Sequence, residues 1–296
     1  MLAKPQIARN ENWVTRAFPI WARVRHWLLE VDEHSVHAPF LYELLTTVVH
    51  VRPDFAPFAD IEAYRSGLLA NPDYLEVQDL GSGSRYFAST ERAIAKIAAT
   101  SPATPEEAHF YFRLATFRKP KTILELGTSL GISTLYLARA TTGVVHTFEG
   151  SPAIAAVAMR QFESLHQKNI KLHEGNLDST LPRVLDNLTQ VDMAILDANH
   201  RYEPTLRYLE ALVRKSKAHT VIIIHDIHAS KEMEAAWNKA RHHELVYVDV
   251  DLFFCGLLFF DPVLHKQSLV ASLQSVDIVS IFAAWRKKIH LREGQT

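Results

Sequence analysis

Between residues 120 and 261, short runs of β-branched and aliphatic residues alternate with longer stretches of helical spacing. The runs predict strands at 122–126, 144–149, 170–174, 193–197, 221–225, 245–252 and 253–261. This alternation predicts an α/β domain, a mainly parallel sheet with helices on both faces. Little but the neighbourhood of Asp251 separates the last two runs. That is too short for a crossover helix, so they are expected to pair as an antiparallel hairpin at the edge of a seven-stranded sheet.

The pattern before Pro120 is different. Apolar residues recur with helical spacing at 14–29 and 39–51, break at Pro53 to Pro57, and resume at 61–69 and 92–99. Ser101-Pro102-Ala103-Thr104-Pro105 reads as a connector, and Glu106 and Glu107 open a helix that runs to about Phe117. Residues 1–119 are therefore expected to form a mainly helical N-terminal extension, and 120–296 the sheet domain, with one more helix at 278–289.

A chain of 296 residues with 48% hydrophobic and 22% charged positions buries a sizeable core. Its 32 basic and 33 acidic residues leave a net charge of -1, so no global field favours nucleic acid or an anionic membrane. No apolar stretch reaches the ~20 residues of a membrane span, and the first residues lack a signal-peptide core, which points to the cytoplasm. The single cysteine, Cys255, has no internal partner and lies in an apolar run, where it reads as a small core residue.

The chemistry gathers at the ends of the predicted strands. Ile123-Leu124-Glu125-Leu126-Gly127-Thr128-Ser129-Leu130-Gly131 is a strand followed by a glycine turn, and the segment from Ile132 through Ser133 opens a helix. Gly127 permits a tight turn and Gly131 a close backbone approach, beside a helix N-terminus suited to a ligand. Ser129 stands where a dinucleotide-binding G-x-G-x-x-G segment needs its second glycine. About twenty residues on, the next strand ends in Glu149, placed to accept ribose hydroxyls, with Gly150 after it. Asn176 and Leu177 follow the third strand. Asp197 ends the fourth, His200 lies one turn further on, and His225-Asp226-Ile227-His228 ends the fifth.

Blander readings stand beside these. Asn176 can serve its own turn, Asp197 and Asp226 can cap the following helices, and most of the 16 histidines must be incidental. Trp237, Tyr202, Phe253 and Phe254 line a pocket or fill the core. His34, His37 and Phe40 close over the site or simply pack. Asp79-Leu80-Gly81-Ser82-Gly83-Ser84 imitates the glycine turn but follows a polar stretch and reads as a loop, with Arg85 beside it.

The spacing acid, one residue, glycine, three residues, glycine resembles that of class I methyltransferases. Over 120–261 the chain resembles small-molecule O-methyltransferases with an Asp-x-x-His segment followed by tyrosine, here Asp197, His200 and Tyr202. The resemblance implies a Rossmann-like sheet and S-adenosylmethionine (SAM) as cofactor. Glu125 would orient its amino-acid end, with Gly127, Thr128, Ser129, Gly131 and Ser133 around it. Glu149 and Gly150 would meet the ribose, Asn176 and Leu177 the adenine, and Asp197 the region near the sulfonium. His200 is then the first choice of base for a small-molecule hydroxyl, or less readily an amine, and His228 the second, with Asp226 also a catalytic candidate, because an ordinary histidine pKa near ~6.5 suits proton uptake near neutrality. In metal-dependent relatives, acids at the positions of Asp197 and Asp226 hold a divalent ion with an adjacent Asn or Asp, a position filled here by Ile227. A homodimer is compatible with this reading. The alternatives are a non-catalytic SAM-binding protein whose extension recruits a partner and a dinucleotide-dependent oxidoreductase.

Overall fold

The computed structural model describes residues 13–77 and 91–273. The N-terminal part consists of α1 (Trp13–Leu29), α2 (Pro39–Leu44), α3 (Ala59–Leu69), a small antiparallel pair β1 (Tyr74–Glu76) and β2 (Glu91–Ala93), α4 (Ile94–Thr100) and α5 (Pro105–Arg118). Strands and helices then alternate: β3 (Thr122–Leu126), α6 (Ile132–Ala140), β4 (Val144–Glu149), α7 (Pro152–Ser164), β5 (Ile170–Glu174), α8 (Leu177–Asp186), β6 (Met193–Leu196), α9 (Tyr202–Val213), β7 (Val221–His225) and α10 (Lys231–Ala240). β8 (Val248–Asp251), β9 (Cys255–Phe259) and β10 (Gln267–Val270) complete the main sheet. The predicted connector before α5 is a capping box on Thr104 and Glu107, with Pro105 at the first helical position. The stretch expected as one helix over 39–51 is α-helical only to Leu44 and widens into a π turn at Leu45–Val49.

The sheet order is β10-β8-β9-β7-β6-β3-β4-β5. All pairings are parallel except those of β9, which runs antiparallel between β7 and β8. The hairpin is present, but it is not the edge. An eighth strand, β10, pairs parallel with β8 from Gln267↔Val248 to Val270↔Asp251 and takes the outer position. Four residues of mixed polarity carry too little periodicity to announce such a strand, and pairing with β8 decides it.

Strands buried on both faces send alternate side chains to opposite sides. Ile123, Met193, Ile195, Val221 and Ile223 enter one apolar core, while Leu124, Ala194, Leu196, Ile222 and Ile224 enter the other. The second core is closed by α8, α9 and α10, through residues such as Leu181, Leu209 and Met233. The first is shared with the N-terminal part, which contributes Leu41, Leu44, Ile61, Ile97 and Leu114. Phe40 belongs to this packing, its ring edge-on to Phe259 at 5.0 Å, so it acts as core and not as a lid. Trp237 is likewise core, 1% exposed under Gly256 of β9.

Chain order reverses between β3 and β6: the chain moves outward to β4 and β5, then returns to β6 and β7 on the other side. In open α/β sheets that reversal leaves a crevice at the carboxyl ends of the strands, where ligands bind. The loop at 79–84, Arg85 and the helix expected at 278–289 lie outside the described residues. Among the described residues no helix is long and apolar enough to cross a membrane.

Candidate active site

At the reversal point the ends of β3 and β6 meet. Gly127 has φ 116°, and a Cβ there would lie 2.4 Å from the Asp197 carbonyl oxygen. Only glycine lets the two strand ends close up. The turn continues through Ser129 at φ 48° to Gly131, which caps α6 at φ 81°. Four of its five amides are spent within the protein. Gly127 and Thr128 donate to the Phe148 carbonyl at 3.1 and 2.9 Å, Gly131 donates to Thr128 at 2.9 Å, and Ser129 donates to the Glu149 carboxylate at 2.9 Å.

Glu125 lies beneath this loop, 1% exposed. Ser133 and Thr147 donate to its carboxylate at 2.6 Å, and Thr134 at 2.5 Å. Burial outweighs these bonds and, with Asp197 nearby, lifts the carboxyl pKa to about 7. Glu125 thus knits β3, β4 and the start of α6 together. Thr128 joins the same layer through its hydroxyl contact with Thr147 at 2.6 Å. At the end of β4, the Glu149 carboxylate also accepts the Ser151 amide at 2.9 Å, and Gly150 sits half-buried between them. Asn176 is exposed and caps α8 by accepting the Asp178 amide at 2.8 Å, the local role weighed for it. Leu177 starts that helix and packs partly buried against the second core.

Four polar side chains converge at the ends of β6 and β7. His200 Nε2 lies 3.5 Å from Asp197 Oδ1, and its Nδ1 lies 4.0 Å from Asp226 Oδ2. His225 Nδ1 lies 3.1 Å from Asp197 Oδ1 and 3.7 Å from Asp226 Oδ1. Burial disfavours a charged His225, yet Asp197, Asp226 and the more distant Glu107 hold its pKa well above the usual value. Burial would likewise raise the Asp197 carboxyl, but His225 and His200 hold it below the ordinary range. Neither aspartate caps a helix: Arg201 precedes α9, and Ser230 caps α10. Asp226 instead sits in a left-handed turn at φ 57°, its amide donating to the Phe254 carbonyl at 2.7 Å.

His228 does not join this group. It is 5% exposed, its Nε2 is 2.8 Å from Asp251 Oδ2, and its ring stacks on Phe253. His26 of α1 reaches the other oxygen of the same carboxylate at 3.2 Å. The residue chosen second as base is therefore locked into a buried His26–Asp251–His228 cluster that ties α1 to the end of β8. Its position two residues after Asp226 says nothing about this, because the turn at Asp226 directs it away.

The arrangement does not suit the divalent ion considered for Asp197 and Asp226. The His225 imidazole stands between the two carboxylates, and Ile227, in the place of a third ligand, is fully buried in the second core. Among the described residues no group of three His, Cys, Asp or Glu side chains is arranged to hold a metal. His225 itself was passed over by sequence reasoning, which fixed on His200 and His228. The available signal was its place as the last residue of a strand beside Asp197.

Residues 124–227 match a family described as a methyltransferase domain. A catechol O-methyltransferase of Niastella koreensis is 30% identical over 128 residues, which span 42% of this chain and 57% of that protein. The match thus covers little more than half the length of that relative. The O-methyltransferase from Bacillus cereus in complex with SAH shares the fold, with a TM-score of 0.51 and 16% identity over 73% of this chain and 94% of that one.

Proposed function

We propose that this chain is a SAM-dependent methyltransferase acting on a hydroxyl oxygen of a small molecule. The observation that carries the reading is the meeting, at one sheet edge, of the glycine turn after Glu125 with Asp197, His200, His225 and Asp226. Bound in the crevice, SAM supplies a methyl group on a sulfonium centre, and the residues do the rest. Glu125 braces the turn through three hydroxyls. Glu149 lies at the next strand end, where a carboxylate accepts ribose hydroxyls. The carboxylates of Asp197 and Asp226 provide an anionic environment that favours a cation at the switch point. His200 would take the proton that the acceptor hydroxyl loses as it receives the methyl group. Asp197 and Asp226, 3.5 and 4.0 Å from its ring nitrogens, stabilise the imidazolium that results. No step runs through a metal.

Ser129 argues against the dinucleotide reading. Its side chain occupies the position where a pyrophosphate needs bare backbone, and its amide is taken by Glu149. The test is calorimetry with SAM, its demethylated product SAH and NAD, followed by methyl transfer to phenols, catechols and sugar hydroxyls with and without Mg²⁺. SAM and SAH binding with turnover of a hydroxyl acceptor is the expected result. NAD binding without SAM binding overturns the reading, and SAM binding with transfer only to amines overturns the choice of oxygen.

A further inference from the structure

We infer that Tyr111 of α5 is a cofactor-binding residue, its hydroxyl donating to the carboxylate of the cofactor's amino-acid end together with the hydroxyl of Ser129. The inference rests on the SAM reading above. A zwitterionic amino-acid end needs an acidic wall for its ammonium and a set of donors for its carboxylate. The acidic wall is plain, with Glu125 and Asp197 at adjacent strand ends. Of the donors at the turn, the amides of Gly127, Thr128, Ser129 and Gly131 are spent inside the protein, and the Ser133, Thr134 and Thr147 hydroxyls point to Glu125, so side-chain hydroxyls have room to act beside the Leu130 amide and the first amides of α6.

Among the described residues, Tyr111 and Ser129 both carry a buried hydroxyl without a protein partner, as does Ser151 beyond Glu149 at the end of β4. Tyr111 is 2% exposed, and its ring lies 6.4 Å from that of Phe254, the residue whose carbonyl receives the Asp226 amide. The Phe254 ring in turn lies 6.0 Å from that of His225, whose Nδ1 is 3.1 Å from Asp197, so Tyr111 packs beside the ring that borders this group. Burial, with Cys255, Asp197, Glu107 and Glu125 adding to it, raises the Tyr111 pKa well above the usual value, so the group stays protonated and serves as a donor. A buried hydroxyl left without a partner is costly. A bound carboxylate satisfies both.

The test compares two ligands on the full chain. SAH carries the amino-acid end, and 5′-deoxy-5′-methylthioadenosine lacks it. Tyr111→Phe is expected to weaken SAH binding by roughly 10- to 100-fold, the range of a hydrogen bond to a charged group, and to leave methylthioadenosine binding unchanged. Ser129→Ala should act in the same selective sense. The melting temperature of ligand-free Tyr111→Phe should not fall, because the hydroxyl has no partner to lose. Unchanged SAH affinity in Tyr111→Phe overturns the assignment. So does an equal loss for both ligands, or a lowered melting temperature, either of which marks a packing role. A wild-type protein that binds neither ligand removes the SAM reading itself, and this assignment with it.

Discussion

Replacing Glu125 with Gln isolates the energetics of the site's buried acid. The carboxyl is 1% exposed and accepts three short hydroxyl bonds, yet its pKa stands at about 7 against an ordinary 4.5. At about 1.4 kcal/mol per tenfold, that elevation corresponds to roughly 3 kcal/mol. The folded pKa lies above the unfolded one, so the folded state binds this proton more tightly. The resulting stabilisation is complete below about pH 4.5 and is lost as pH rises through about 7. Glutamine carries no such proton. Between pH 5 and pH 8, the wild type should therefore lose roughly 2–3 kcal/mol of unfolding free energy that Glu125→Gln does not. Urea unfolding followed by tryptophan fluorescence at pH 5, 6, 7 and 8 measures both curves, and the difference between them cancels other titrating groups. At pH 5 the variant should be the less stable protein, since its amide N–H groups replace an acceptor among three donors. Parallel curves would refute the reasoning, because they would mean that Glu125 titrates alike in the folded and unfolded chains.

His200→Ala should leave SAH affinity nearly intact while lowering turnover about 10²- to 10⁴-fold, the usual contribution of a positioned base. Wild-type turnover across pH 6 to 9, a range around the ordinary histidine pKa, would remove His200 from that role. Gly127→Ala should lower the melting temperature of the ligand-free protein, because its Cβ would lie 2.4 Å from the Asp197 carbonyl at a φ of 116°. A valine there would act through the same strand contact before it met any ligand, and an unchanged melting temperature would show that the two strand ends are not held this closely. Asp251→Asn breaks a carboxylate shared by two buried histidines and should cost about 3–5 kcal/mol of stability near neutrality. Burial opposes the charge, but His228 and His26 hold the Asp251 pKa far below its ordinary value. Its contribution is therefore present above about pH 4 and lost as pH falls below that. Equal acid limbs in variant and wild type, read by thermal melts from pH 3 to pH 7, would contradict this.

The sequence by itself determined the elements with strong periodicity and the points where they end. Five parallel strands begin and end within a residue of their predicted runs, and for β3, β6 and β7 the reason is that a central strand buried on both faces is apolar along most of its length. The same pattern put Glu125, Glu149 and Asp197 at strand ends, and the glycines at 127 and 131 announced a left-handed turn that few other residues adopt. Only the tertiary structure decided what those side chains meet. β10 became a strand because β8 offered it an edge, and Asn176 became a helix cap because its side chain found the Asp178 amide. His200 and His228 were equivalent as letters near an aspartate. The left-handed turn at Asp226 and the arrival of His26 from α1 separated them, burying one against Asp251 and leaving the other, with His225, beside Asp197. Tyr111 came to lie against the ring of Phe254, 143 positions further on. A contact of that span leaves no mark on local spacing; it exists because α5 and the sheet share one apolar core.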